Sequence, residues 1–154
     1  MSVLFFDSSA LVKRYLSEVG STWMDTLLDP SFGHTIIVAT ITQVESAAAL
    51  AARQRSGAIT QVERDDLVDL LALHFDTQYQ QVAITEAVLS RAVGLTQEYR
   101  LRGYDAVQLA AALVVQQQYL AVGIAGLMLV SSDSDVNAAA QAEGLTAENP
   151  NAHP

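Results

Sequence analysis

Five acidic residues stand where an apolar run ends or a helix is predicted to begin. Carboxylates brought close together repel by roughly 4 kcal/mol per pair at an effective dielectric of about 20, so a fold that gathers them needs a compensating cation. Oxygen ligands suit Mg²⁺ or Mn²⁺. Such a metal activates water for attack on a phosphodiester. The candidate residues for this chemistry are Asp7, Glu45, Asp105, Asp133 and Asp135.

Each acid taken singly also has a structural explanation, because Asp after a strand commonly caps a helix and acids in a first turn favour the helix dipole. The tetrapeptide Thr-Gln-Val-Glu occurs twice, at Thr42 to Glu45 and at Thr60 to Glu63, and Thr-x-x-Glu is the capping-box pattern. Glu63 lies between two predicted helices, whereas Glu45 follows a β-branched run. We therefore assign Glu63 to a cap and Glu45 to the metal site, with a capping box at Thr42 as the alternative.

The elements that position these acids are predicted by apolar periodicity. Short apolar strands alternate with helices, which is typical of an α/β fold, a three-layer-like sandwich with a mainly parallel central sheet and helices on both faces. The carboxyl ends of parallel strands meet at one edge, where ligands bind. The predicted strands are 3–6, 35–38, 79–84 and 127–130, and the longer predicted helices are 21–28, 42–55, 60–74, 86–100, 104–119 and 136–142.

Length and composition fit one domain. The 154 residues are 51% hydrophobic, enough for one sizeable core, and we predict a single domain over residues 1–148 with a polar tail over 149–154. The chain has no cysteine, which excludes disulfides and thiolate metal sites. Its three histidines, His34, His74 and His153, are scattered, so zinc is disfavoured.

No apolar stretch is long enough to span a bilayer, since the longest runs from 119 to 130. The apolar run before Asp7 is also too short for a signal peptide. We therefore expect a soluble, cytoplasmic protein with no membrane partner.

The net charge is −9, from 8 basic and 17 acidic residues, which disfavours coating nucleic acid by charge alone. Half of the basic residues nevertheless stand close in sequence to the candidate acids and could form a phosphate-binding rim. Helix-end charges are the alternative. These four residues are Lys13, Arg14, Arg100 and Arg102.

Four segments resemble the signature motifs of the PIN-domain ribonucleases, and most closely those of the VapC-type toxins of bacterial toxin–antitoxin pairs. They are FDSSALVKRY at 6–15, VESA at 44–47, LRGYDAVQLA at 101–110 and VSSDSD at 130–135. The third is the most specific of the set, and together the segments extend over nearly the whole chain.

This resemblance implies a PIN-like fold and a Mg²⁺-dependent endoribonuclease, with Mn²⁺ able to substitute and RNA as the substrate. It implies that Asp7, Glu45, Asp105 and Asp133 bind the metal, with Asp135 as a candidate fifth acid, and that the hydroxyls of Ser9 and Ser131 order the metal's waters. It also implies a homodimer and a cognate antitoxin protein that covers the active site.

Two other functions remain as alternatives at this point. One is a non-enzymatic α/β module that binds another protein through apolar helices such as 47–52 and 110–115. The other is a haloacid-dehalogenase-like phosphatase, which also places an Asp after its first strand. That family needs a second Asp two residues later, where this chain has Ser9.

Overall fold

The computed structural model describes residues 2–154 and confirms the predicted α/β fold. Within those residues, five strands form one sheet in the order β3-β2-β1-β4-β5, and every neighbouring pair is parallel. The central strand therefore pairs with the second strand on one side and the fourth on the other. The strands are β1 (Val3–Phe6), β2 (Thr35–Ala39), β3 (Gln80–Val82), β4 (Leu127–Val130) and β5 (Thr146–Glu148).

Helices cover both faces of the sheet. The described part of the chain has seven α-helices: α1 (Ser8–Leu11), α2 (Ser21–Leu28), α3 (Ile41–Arg55), α4 (Gln61–Thr77), α5 (Glu86–Glu98), α6 (Gly103–Ala121) and α7 (Ser134–Ala142). Helices α1 to α4 pack on one face, and α5 to α7 pack on the other.

The alternation of side chains along β1 joins these two layers. Phe5 packs against Leu109 of α6, whereas Leu4 and Phe6 belong to the opposite cluster with Leu50 of α3. All of these side chains are at most 1% exposed. If the pairing of β1 shifted by one residue, each of its side chains would point to the opposite face of the sheet. The burial of both sets of side chains therefore fixes the register of the central strand. The residue that follows Phe6 is thereby held at the carboxyl edge of the sheet.

The sequence did not predict β5, and it overestimated β3, which was expected over 79–84. Strand β5 is short and lies at the edge of the sheet, where it pairs with β4 in the register Met128 to Thr146. Its residues Thr-Ala-Glu carry no β-branched run to signal a strand.

Residues 149–154, predicted as a polar tail, contain a 3-10 turn over Pro150–Ala152. Pro150 is buried, and the ring of His153 stacks on Trp23 with centroids 4.1 Å apart. The end of the described chain therefore packs against α2. None of the helices in residues 2–154 has the length and apolar character needed to cross a bilayer.

Candidate active site

Asp7 directly follows β1 and is 4% exposed. Its Oδ1 caps α1 by accepting the backbone N–H of Ala10 at 3.0 Å. Burial raises the pKa of Asp7 to about 6; hydrogen bonds from Ser131, Ser9 and Ala10 oppose this rise, and the charge of Asp105 adds to it. Asp7 is thus a desolvated carboxyl group with a second acid in electrostatic range, an arrangement that a nearby cation would stabilise.

Ser9 and Ser131 both donate hydrogen bonds to Asp7. The Oγ of Ser9 lies 2.7 Å from Oδ1, and the Oγ of Ser131 donates to Oδ2. The same hydroxyls accept the backbone N–H groups of Ser132, at 2.9 Å, and Asp133, at 3.1 Å. The two serines therefore orient Asp7 and join the segment after β1 to the segment after β4. Their ordering of metal-bound water stays a prediction.

Glu45 lies in the first turns of α3, which begins at Ile41 after the N-cap residue Thr40. The helix has no side-chain cap, and Thr42 lies inside it with no exposed surface. The alternative capping box at Thr42 is therefore wrong. Instead, the Oε1 of Glu45 accepts a hydrogen bond from Nε2 of Gln108 at 2.8 Å.

Glu63 occupies the same position in the second copy of the tetrapeptide and forms the capping box. Its Oε2 accepts the backbone N–H of Thr60 at 2.7 Å, and its own N–H donates to Thr60 Oγ1 at 3.1 Å. The prediction that Glu63 caps a helix is confirmed, and Glu45 makes no such cap on α3.

Arg102 lies beside two of the candidate acids. Its Nε is 3.3 Å from Asp105 Oδ2, and its Nη2 is 3.9 Å from Asp133 Oδ2. Asp133 also caps α7 through Oδ1, which accepts the N–H groups of Asp135 and Val136 at 2.8 and 3.2 Å. One carboxylate oxygen of Asp133 thus serves the helix, while the other faces the guanidinium.

These groups line a cleft of about 470 Å³. The cleft brings together two predicted basic residues and three predicted acids, namely Arg100, Arg102, Asp105, Asp133 and Asp135. Asp7 and Glu45 are outside its lining. Asp7 is within electrostatic range of Asp105, and Glu45 bonds to Gln108, which follows Asp105 by three residues on α6 but does not line the cleft.

The structure places Lys13 and Arg14, the other two residues predicted to bind RNA, away from the acidic cleft. Lys13 is 5% exposed, and its Nζ pairs with Glu18 Oε2 at 3.1 Å. Arg14 donates to the hydroxyl of Tyr79 at 2.6 Å. Both residues line a cavity separate from the acidic cleft. Arg14 bonds to a residue 65 positions away, and Glu18, the partner of Lys13, also pairs with Arg53 to complete a local charge cluster.

The donor atoms at this edge of the sheet are carboxylate and hydroxyl oxygens, which suit Mg²⁺ or Mn²⁺. Within residues 2–154, no three His, Cys, Asp or Glu side chains come close enough together to hold a metal ion. Arg102 supplies the positive charge between Asp105 and Asp133 in this structure. The residues match a hard cation in the type of donor atom and in the raised pKa of Asp7, but within residues 2–154 they do not converge on one point, and Arg102 is the competing charge.

Gln108 is the residue of this site that the sequence analysis missed. It is 2% exposed, and its amide contacts both α1 and α3. A signal was present in the sequence, because Gln108 is the one polar residue in the apolar run 106–115. A polar side chain on a helix that is otherwise apolar all round must find partners in the interior.

Solved structures show the class of fold to which this chain belongs. A toxin–antitoxin complex from Klebsiella pneumoniae superposes with a TM-score of 0.63 at 17% identity, over 96% of this chain and 97% of that chain. VapC20 of Mycobacterium tuberculosis, described as a sarcin-ricin loop cleaving toxin, superposes with a TM-score of 0.59 at 15% identity, over 88% and 94% of the two chains. The fold is that of the PIN-domain VapC structures.

A curated relative identifies the family, within this fold class, to which the chain belongs. Ribonuclease VapC45 of Mycobacterium tuberculosis (strain CDC 1551 / Oshkosh) is 33% identical over 144 residues, which are 94% of this chain and 93% of the relative. The chain belongs to the VapC ribonuclease family. No protein-family model matches it. Family membership argues against the phosphatase alternative.

Proposed function

We propose that this chain is a Mg²⁺-dependent endoribonuclease that hydrolyses RNA phosphodiester bonds, with Mn²⁺ able to substitute, and that it is the toxin of a toxin–antitoxin pair. Its VapC relative and the sarcin-ricin loop cleaving neighbour support the substrate class. The observation that carries the proposal is the buried carboxyl group of Asp7, held by Ser9 and Ser131 beside Asp105 at the carboxyl edge of a parallel sheet. We propose that the protein acts on this RNA in the cytoplasm.

In this proposal the metal is held by four acids and a candidate fifth. A bound Mg²⁺ supplies positive charge to the phosphoryl oxygens and lowers the pKa of a coordinated water. Ser9 and Ser131 fix the orientation of the Asp7 carboxylate, and the exposed edge of the cleft admits the RNA. The assigned ligands are Asp7, Glu45, Asp105 and Asp133, with Asp135 as the fifth acid.

Arg100 and Arg102 bind RNA phosphate in this proposal because both line the acidic cleft. The side chain of Arg102 is 86% exposed, so its guanidinium can turn from Asp105 and Asp133 toward a phosphate without disturbing the core. Arginine is suited to this role, since its planar donors match phosphate oxygens in pairs.

Cleavage of a mixed RNA pool by the purified protein tests the proposal. We expect internal cleavage with Mg²⁺ or Mn²⁺, none with a chelator, and loss of cleavage in Asp7→Asn. Glu63→Gln is the matched control, since it removes a carboxylate that only caps α4. Cleavage that persists in chelator, or in the Asp7→Asn protein, would contradict the proposed metal chemistry.

We also propose two protein partners, a second copy of this chain and an inhibitory antitoxin. The Klebsiella neighbour was solved as a toxin–antitoxin complex. Helices α3 and α4 expose Val44, Val62 and Leu73 by 69%, 70% and 54%, which suits an amphipathic helix. An Arg or Lys on that partner would reach the carboxylates of the cleft.

Purification from the native host tests both partners. We expect a small basic protein at a near-equal ratio to the chain, with nuclease activity appearing when it is removed. Light scattering of the separated chain should give the mass of a dimer. A monomer, or a chain that purifies alone and fully active, would contradict the corresponding part of the proposal.

A further inference from the structure

The amide of Gln108 connects three helices at the acidic site. Its Nε2 lies 2.8 Å from Glu45 Oε1, 2.9 Å from Thr42 Oγ1 and 3.0 Å from Ser8 Oγ. Glu45 and Thr42 belong to α3, Ser8 opens α1 after Asp7, and Gln108 itself follows Asp105 on α6. A single buried side chain on α6, the helix of Asp105, therefore contacts both α3, the helix of Glu45, and α1, the helix that Asp7 caps.

The orientation of this amide is fixed by its surroundings. An amide nitrogen has two hydrogens for these three acceptors, and the carboxylate is both the nearest acceptor and the strongest kind. Turning the amide over would set Oε1 of Gln108 against Oε1 of Glu45, which places one acceptor against another. One hydrogen is therefore committed to Glu45, and the two hydroxyls share the other.

The oxygen of the same amide, Oε1 of Gln108, is buried and makes no hydrogen bond within residues 2–154. A buried acceptor without a partner loses its hydration uncompensated, so an apolar side chain of the same length would suit the interior at least as well. The surroundings of α6 are apolar, as Ala106, Leu109 and Ala110 are all fully buried. The stability of the core does not account for an amide at this position.

We infer that Gln108 is a positioning residue, whose amide N–H holds the carboxylate of Glu45 in its catalytic orientation. This inference rests on the proposed ribonuclease function. Gln108 acts through Glu45 and touches neither RNA nor metal. Asp105 and Gln108 are three residues apart on α6, so this helix supplies one acid of the site and orients another.

The test is a double-mutant cycle that combines Gln108→Met with Glu45→Ala. Methionine keeps the length of the side chain and removes the amide. We expect Gln108→Met to lower kcat by roughly 10- to 100-fold, the rate equivalent of one hydrogen bond to a charged group, with KM unchanged. In the Glu45→Ala background the same substitution should cause almost no further loss, because the group it acts through is absent. Equal losses in both backgrounds would overturn the inference.

Thermal unfolding separates this role from a structural one. Gln108→Met removes the unpartnered Oε1 of Gln108 and leaves the buried hydroxyl of Thr42 without its donor. Ser8 and Glu45 also lose this donor, but both are partly exposed and can bond to water, so Tm should change by less than about 4 °C. A larger fall in Tm would show that the amide maintains the fold and would overturn the inference. Ser46→Ala is the control, since Ser46 is buried beside Glu45 and its hydroxyl has no partner. Its kcat should equal that of the unaltered protein.

The proposed function and the role of Gln108 can each fail separately. If the unaltered protein does not cleave RNA with Mg²⁺, the proposed function fails. The Tm comparison then still decides whether Gln108 is retained for the fold. If the unaltered protein cleaves RNA and the cycle is additive, the proposed function stands and the role of Gln108 is wrong.

Discussion

Arg102 forms an ion pair with Asp105 at the start of α6, with Nε 3.3 Å from Oδ2. The pair lies in the cleft that we assign to RNA and metal, and its basic member is the more exposed of the two, at 86% against 25%. An exposed pair of this kind contributes little to stability. Its significance is electrostatic, because the guanidinium offsets negative charge in the cleft to which our proposal assigns the RNA phosphate.

The salt dependence of RNA binding follows from this arrangement. Lys13 is paired with Glu18 and Arg14 with Tyr79, so Arg100 and Arg102 form the basic rim of the cleft. At fixed Mg²⁺, the affinity for single-stranded RNA should fall with log salt at a slope no steeper than about −1.4, from roughly −0.7 per neutralised phosphate. Fluorescence anisotropy across a KCl series measures this slope.

Replacing both rim arginines by Gln should flatten the salt slope by about 1.4 according to the same rule. Arg55→Gln is the matched control, because Arg55 is exposed at the far end of α3 from Glu45. A double variant with an unchanged slope would show that the RNA path lies elsewhere.

The repeated tetrapeptide provides an internal comparison of two glutamates. Glu45→Gln should reduce metal-dependent cleavage far more than it reduces Tm, because Glu45 bonds to Gln108 and caps nothing. Glu63→Gln should leave cleavage unchanged and destabilise the fold by at most about 0.5–2 kcal/mol, the range of a helix cap. Cleavage rates and urea unfolding of the two variants decide the matter. Equal losses of cleavage would refute the assignment of Glu45 to the site.

Asp7 should make the metal-free protein less stable as the pH rises. Burial raises its folded-state pKa to about 6, above the ordinary value of 3.8, so its stabilising contribution is complete below pH 3.8 and is lost as pH rises through 6. At pH 7 and in chelator, Asp7→Asn should therefore be more stable, by on the order of 3 kcal/mol at 1.36 kcal/mol per pKa unit. Asparagine preserves the cap on α1. Unfolding curves at pH 4 and pH 7 test this, and the gain should vanish at pH 4.

Two controls accompany that measurement. Asp29 also caps a turn, but it is exposed, and its hydrogen bonds with Ser31 lower its pKa, so Asp29→Asn should give no gain at pH 7. Mg²⁺ should raise the Tm of the unaltered protein and not that of Asp7→Asn, since a ligand that binds only the folded state stabilises it. A Tm that rises equally in both proteins would remove Asp7 from the metal site.

His74 should make the protein less stable as the pH falls, which is the opposite of the effect of Asp7. Burial, assisted by the charge of Arg14, lowers the pKa of His74 from 6.5 to about 4, and its Nδ1 lies 2.8 Å from the Tyr15 hydroxyl. A lowered folded-state pKa means that its contribution is complete above pH 6.5 and is lost as pH falls toward 4. His74→Asn should be less stable at pH 7, yet its Tm should fall less than that of the unaltered protein between pH 6.5 and 4. Parallel Tm curves would contradict this.

Much of the fold could be predicted because the central strands are continuous apolar runs, as Val3–Phe6 and Leu127–Val130 show. The edge strand Thr146–Glu148 has no such run and is held by backbone bonds to β4, which local sequence does not reveal. The capping pattern at Thr42 did not predict the start of α3, which begins one residue earlier, at Ile41. Thr42 is fully buried and bonds to Gln108, a contact that the local sequence does not reveal.

The site was predictable to the extent that acids follow the strands. The contacts of each side chain were not, since they depend on residues distant in sequence. Arg14 bonds to Tyr79, 65 residues away, and Glu45 is oriented by Gln108, 63 residues away. Residue types at strand ends therefore indicate where chemistry can occur, whereas burial and partners decide which charges take part.

The pairing of β1 with β4 also bears on when activity can begin during synthesis. Asp7 is synthesised before Ser131, which donates to its carboxylate and follows 124 positions later. The central strand lacks one of its two neighbours until β4 has emerged. A nascent chain therefore carries Asp7 without Ser131 and without one neighbour of the central strand until β4 has been made.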